Sequence, residues 1–120
     1  RLNFDGVMEA LSLADLAVVP SRFEAWGLVV IEALAAGLPV IATHRVGCVD
    51  DLIRDGDNGL VVPDRDPSAL GRALESLLHN PEQLQHMRRQ SQAGLDEWTI
   101  ERSAERIVAG WRAMVAAREK

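Results

Sequence analysis

The chain has 120 residues, of which 48% are hydrophobic and 26% charged, a size and balance that fit one domain and exclude intrinsic disorder. Asp and Glu number 18 against 13 Lys and Arg, for a net charge of -5, which excludes a protein that works by neutralising a nucleic-acid backbone. Its single cysteine, Cys48, cannot form an internal disulfide and fits a reducing compartment.

The opening residues Arg1–Asp5 lack the apolar segment of a signal peptide. The longest apolar run, Leu28–Ala36, is interrupted by Glu32 and falls far short of the roughly 20 residues that span a membrane. The expected location is cytoplasmic, either free or peripheral at the inner face of a membrane. Arg1 reads as a mid-chain residue, so the sequence is expected to be a piece of something longer.

Asp5 is a candidate cap for a first helix whose apolar side is Val7, Met8, Leu11 and Ala14. Three short runs follow at intervals, Leu16–Pro20, Pro39–Thr43 and Gly59–Pro63. Each is apolar throughout rather than alternating, the pattern of parallel strands buried on both faces. Between the first two lies Gly27–Ala36, whose Val29-Val30-Ile31 favours a strand by propensity. The Gly37 and Pro39 stop signal and the need for a crossover between parallel strands predict a helix instead. Val49–Arg54 fits a short helix, and Asp55–Gly59 has the composition of a turn.

Asp66 and Pro67 open a helix carrying Leu70, Ala73, Leu74, Leu77 and Leu78. Asn80-Pro81-Glu82-Gln83 restarts another with the spacing of a capping box. Thr99 caps a long last helix with apolar Ile100, Ala104, Ile107, Val108, Trp111 and Val115. The alternation predicts an α/β fold of three parallel strands with five or six helices. That is fewer strands than a complete doubly wound domain contains, so the first strands are expected upstream of residue 1. Ligands of such sheets bind beyond the carboxyl ends of the strands, where Pro20–Gly27 and Thr43–Cys48 lie.

The chemistry concentrates in residues 20–41. Glu24 stands in the loop after the first strand, Gly27 opens the helix, and Glu32 follows five residues later, roughly 7–8 Å along the axis. The amides of Gly27, Leu28 and Val29 face an anion at the positive helix end. A carboxylate aimed at a phosphate would repel it, but one beside it can hold a vicinal diol. Glu32 is therefore expected to hold a ribose and Glu24 a transferred sugar, at opposite ends of a nucleotide sugar's diphosphate. A Glu-x7-Glu spacing by itself also arises by chance among solvated carboxylates.

The ordered motifs ADLAVVPSRFE (14–24), Glu24-x7-Glu32 with Gly27, EALAAGLPVIA (32–42), RVGCVDDLI (45–53) and DNGLVVP (57–63) resemble glycosyltransferase family 4, the retaining enzymes of GT-B fold also grouped as group 1. The resemblance covers nearly the whole chain and implies a partial, Rossmann-like C-terminal domain that binds the donor. It implies that Glu24, the catalytic position, contacts the donor sugar, that Glu32 contacts the ribose, and that amides at the helix start contact the diphosphate. Hexose transfer to an unknown acceptor, saccharide, lipid or small molecule, follows from the same likeness. The acceptor domain and the basic residues that neutralise the departing diphosphate are expected upstream. Ala25, Cys48 and Asp50 depart from the family's common Pro, Gly and Pro.

Trp26 either walls the donor or packs in the core. His44, Arg45 and Gly47 are candidate loop contacts. Asp64-Arg-Asp66 reads as a helix cap rather than a metal site, and Asp55-x-Asp57 lacks the glycine and final glutamate of a calcium loop. His79 and His86 are expected on helix surfaces, and Cys48 as a buried thiol. No metal or other cofactor is expected. A sugar-nucleotide epimerase or phosphorylase of the same architecture is an alternative, as is a binding module without chemistry. Without upstream cover the chain is expected to be inactive alone and either to self-associate or to be only marginally stable.

Overall fold

The computed structural model describes residues 4–118, with side chains from residue 6 onward. Three parallel strands, β1 (Ala17–Val19), β2 (Val40–Thr43) and β3 (Gly59–Val62), form a sheet in that order. Ala17 stands opposite Val40, and Val40 opposite Gly59. The strands lie within the predicted runs but are shorter: Pro20, Pro39 and Pro63, which have no N–H for the ladder, fall outside them, as does Leu16. Six α-helices accompany them among the described residues: α1 (Phe4–Ser12), α2 (Leu28–Ala35), α3 (Val49–Leu52), α4 (Pro67–Leu78), α5 (Pro81–Gln90) and α6 (Ile100–Arg118). A 3-10 turn, Leu95–Trp98, was not foreseen in the sequence.

Successive residues of β2 point to opposite faces of the sheet, and each face has its own core. Val40 and Ala42 join Val30, Ala33 and Leu34 of α2 and Val49 and Leu52 of α3. Ile41 joins Val62, Leu77 of α4 and Met87 of α5. The central strand β2 is buried at every position. β1 departs from expectation: Val18 is 37% exposed on the face opposite α2. Helix α4 packs on β2 and β3, so among the described residues β1 is a half-open edge rather than a strand buried on both faces.

Tertiary burial decides α2 against its local propensity. Val30, Ala33 and Leu34, spaced by three and four, are wholly buried, and only a helix aims those positions at one surface. Asp66 caps α4 by accepting from the Ala69 amide at 2.8 Å, and Asn80 caps α5 by accepting from Gln83 at 3.1 Å. The reciprocal half of the capping box is missing, because the Gln83 side chain donates to the Gly56 carbonyl at 2.8 Å instead. Asp5 lies inside α1, not ahead of it, so it does not open that helix. Its side chain falls outside the described residues.

The turn between α3 and β3 is a polar junction. Buried Asn58 accepts from the Arg54 amide and donates to the Leu52 carbonyl. The Arg54 guanidinium reaches the Gln90 and Ala93 carbonyls and Asp57. His86, on the surface of α5 as expected, meets Asp57 at 3.0 Å, an ion-pair partner that the sequence did not suggest. From there the chain crosses back to α2, where Gln92 donates to the Ala35 carbonyl at 2.7 Å. Trp98 then packs on the α2 core.

Candidate functional site

The loops that follow β1 and β2 are fastened together. The Glu24 amide donates to the Arg45 carbonyl at 3.1 Å, and the Glu24 carbonyl accepts from Gly47 at 2.9 Å, so Glu24 and Val46 pair like one further rung of parallel sheet. The Cys48 amide donates to the Trp26 carbonyl at 2.9 Å, and the Thr43 hydroxyl donates to the Ser21 carbonyl. Sequence reasoning placed both loops at the carboxyl ends of the strands but gave no sign that they zip together. Gly47 explains how they can: a Cβ there would lie 2.1 Å from the Ala25 carbonyl oxygen, so only glycine allows the approach.

Gly27 turns the chain from this rung into α2. Its φ of +100° lies in left-handed space, and a Cβ on it would sit 2.7 Å from Val46 Cγ1 and 3.5 Å from Glu24 Cγ. Glu24 is thus held against the helix start. The first hydrogen bond into the helix is from the Val30 amide to the Gly27 carbonyl. The preceding amides of Gly27, Leu28 and Val29 therefore open the helix without an intrahelical acceptor, which makes this end attractive to an anion. Gly27 is buried and Leu28 and Val29 are exposed, so the helix start lies at the surface. Glu32 is half-buried farther along α2.

A cleft of about 430 Å3 opens between the fastened loops, lined by Phe23, Glu24, Ala25, His44, Arg45, Val46, Gly47 and Asp50. It unites Glu24 with the three loop candidates His44, Arg45 and Gly47. Phe23 and Asp50 are linings that sequence reasoning did not single out as ligand contacts. His44 is tethered across the strand ends to Asp64 at 3.3 Å, so Asp64 serves loop packing. Trp26 turns the other way: it is half-buried, and its ring centroid lies 5.5 Å from that of Trp98. Of its two sequence readings, the structure displays the packing one.

Cys48 lies beneath the helix start, wholly buried, with its Sγ donating to the Gly27 carbonyl at 3.7 Å. Burial pushes its thiol pKa up, and the charges of Asp51 and Glu24 act in the same direction. Cys48 is therefore an uncharged packing group. No group of three or more His, Cys, Asp or Glu side chains suited to a metal ion occurs among the described residues. A smaller hollow of about 170 Å3 lies at the ends of β2 and β3, with Arg22, Thr43, Arg65 and Leu70 in its walls. None of the described helices is long and apolar enough to cross a membrane.

Comparison with known proteins places this geometry. The family model described as "Glycosyl transferases group 1" matches residues 2–94. A D-inositol 3-phosphate glycosyltransferase from Geodermatophilus obscurus is 41% identical over 100 residues, covering 83% of this chain and 21% of that protein. The chain spans about a fifth of the length of the curated relatives it matches. Among solved structures, sucrose-phosphate synthase from Thermosynechococcus elongatus superposes with a TM-score of 0.75 at 33% identity, over 90% of this chain and 27% of that one. Anabaena HepE, solved in complex with UDP, shares the fold with a TM-score of 0.76 at 20% identity, over 88% of this chain and 29% of that one. The architecture of three parallel strands and six helices is that of the GT-B glycosyltransferases. The chain belongs to the group 1 glycosyl transferases.

Proposed function

We propose that this chain is the nucleotide-sugar-binding part of the C-terminal domain of a retaining glycosyltransferase of family 4, which transfers a hexose-type sugar to an acceptor held by a domain outside these residues. The observation that carries the reading is the rung between Glu24 and Val46, which fastens a carboxylate beside the open amides of α2. The diphosphate sits at the amides of Gly27, Leu28 and Val29, where the helix end favours negative charge. Glu32 accepts from the ribose hydroxyls, and Glu24 from the hydroxyls of the sugar to be transferred. His44, Arg45 and Gly47 form the facing loop wall.

The UDP bound by Anabaena HepE supports a nucleoside diphosphate as the common element of the ligand. No divalent metal takes part, since amides and basic side chains supply the positive potential. The location is cytoplasmic, free or peripheral to the inner face of a membrane. The 120-residue chain alone self-associates and does not turn over.

Calorimetry with a nucleoside diphosphate and its sugar ester tests the roles. Glu32→Ala weakens both ligands and Glu24→Ala only the sugar ester, each by about 1.5–3 kcal/mol for a charged hydrogen bond lost. Equal losses from both variants on the plain diphosphate would reject the assignment. Affinity lost in EDTA and restored by magnesium or manganese would reject the metal-free reading.

A further inference from the structure

We propose that Phe23 is a stacking platform for the pyranose ring of the sugar whose hydroxyls Glu24 holds. The inference rests on the donor-site reading above and extends it to a residue that the Glu-x7-Glu pattern does not include. Phe23 is 78% exposed and forms part of the cleft wall beside Glu24. An isolated exposed aromatic on a loose loop would need no explanation. This loop is not loose. Thr43 ties it at the Ser21 carbonyl, two residues before Phe23, and Arg45 and Gly47 bind both backbone groups of Glu24, immediately after it. With the backbone fixed on both sides, the ring stays displayed at the cleft.

The other linings are polar or small, apart from Val46, which is buried. Glu24, Asp50 and Arg45 suit hydroxyls, the His44 ring is engaged by Asp64, and Phe23 supplies the open phenyl face. A pyranose has both complements: hydroxyls around its rim and C–H groups, weakly positive, on its faces, which match the negative face of an aromatic ring. Neither phosphate nor ribose needs such a face, because those parts lie toward the start and body of α2. Trp26, the aromatic nearest in sequence, is occupied by Trp98. Stacking therefore falls to Phe23.

The test is calorimetry of the 120-residue chain with UDP, UDP-glucose, GDP and GDP-mannose, for the wild type, Phe23→Ala and Phe23→Tyr, with circular dichroism to confirm the fold of each. The expected result is that Phe23→Ala loses about three- to tenfold in affinity for the nucleotide sugar that the wild type binds, keeps the affinity for the matching nucleoside diphosphate, and regains the loss in Phe23→Tyr. Unchanged nucleotide-sugar affinity in Phe23→Ala, or an equal loss on the plain diphosphate, overturns the stacking role and leaves the donor site standing. Absence of binding of all four ligands to the folded wild type overturns the donor-site reading, and the stacking role with it.

Discussion

Helices α2 and α6 both carry apolar stripes, and the structure treats them in opposite ways. In α2, eight residues long, Val30, Ala33 and Leu34 are wholly buried between the sheet and the returning chain. In α6, nineteen residues long, every described residue is exposed, including Ile100 at 85%, Ile107 at 72% and Trp111 at 63%. Its anchorage is at its base, where Arg106 lies over Trp98 at 5.7 Å and pairs with Glu97 at 3.1 Å. Amphipathic periodicity states that a helix has a face to bury; it does not state what buries it. For α2 the partner is within the chain, and the loops of the candidate site are fastened to its first turn as a result. For α6 no element of the described chain covers the stripe.

The largest test of this contrast is Leu34→Ala. Removing a fully buried side chain from the α2 core should cost about 2–5 kcal/mol, read as a shift of the denaturant midpoint. A loss under 1 kcal/mol would mean that α2 is held by its loops rather than by its core. Gly47→Ala comes next. Its Cβ meets a backbone oxygen, which cannot move aside as a flexible side chain can, so the two loops must part, at about 1–3 kcal/mol of overpacking. Nucleotide affinity should fall with it, and retained affinity would show that the Glu24 rung is dispensable.

Two pH effects are smaller. Burial raises the Cys48 thiol pKa in the folded chain, so its contribution to stability is complete below the thiol's ordinary titration and is lost as the pH rises above about 9. Cys48→Ala should flatten that alkaline limb in a urea titration. Hydrogen bonds from Arg54 and His86 hold Asp57 below the usual carboxylate range. Its contribution is present above the unfolded pKa and fades as the pH falls through the depressed folded one. Asp57→Asn should remove this acid-side dependence, and an unaltered profile would show that the cluster carries no net stability.

The smallest expected change completes the comparison. Ile107→Ala on α6 should alter the stability of the isolated chain by no more than about 0.5 kcal/mol. Under the self-association proposed above, Trp111→Glu should leave the thermal transition in place while lowering the light-scattering mass, because a large open apolar stripe favours association. A large destabilisation by either variant would place α6 in the fold's own core.

Much of the candidate site's local geometry was legible because its requirements are local. Gly27 is where the backbone makes a close approach, Asp66 and Asn80 cap the helices they precede, and the Gly27 to Glu32 step follows from helical rise. The zipped loops were not legible, since their bonds join backbone groups some twenty residues apart and leave no periodic trace apart from Gly47. The expected capping box at Gln83 failed, and the Asp57 partner of His86 went unseen, for one reason: the turn around Gly56 and Asp57 packs against α5 and engages both side chains.

The sequence by itself determined the α/β alternation, the helix boundaries set by glycine, proline and capping residues, and the two carboxylates flanking an open helix start. These depend on backbone sterics and on hydrogen bonds within a few residues, which any tertiary setting must satisfy. Only the tertiary structure decided that β1 is a half-open edge, that Trp26 faces Trp98 while Phe23 faces the cleft, and that α6 stands uncovered. Burial is a property of what arrives from elsewhere in the chain, and an apolar residue is the same in sequence whether or not something arrives.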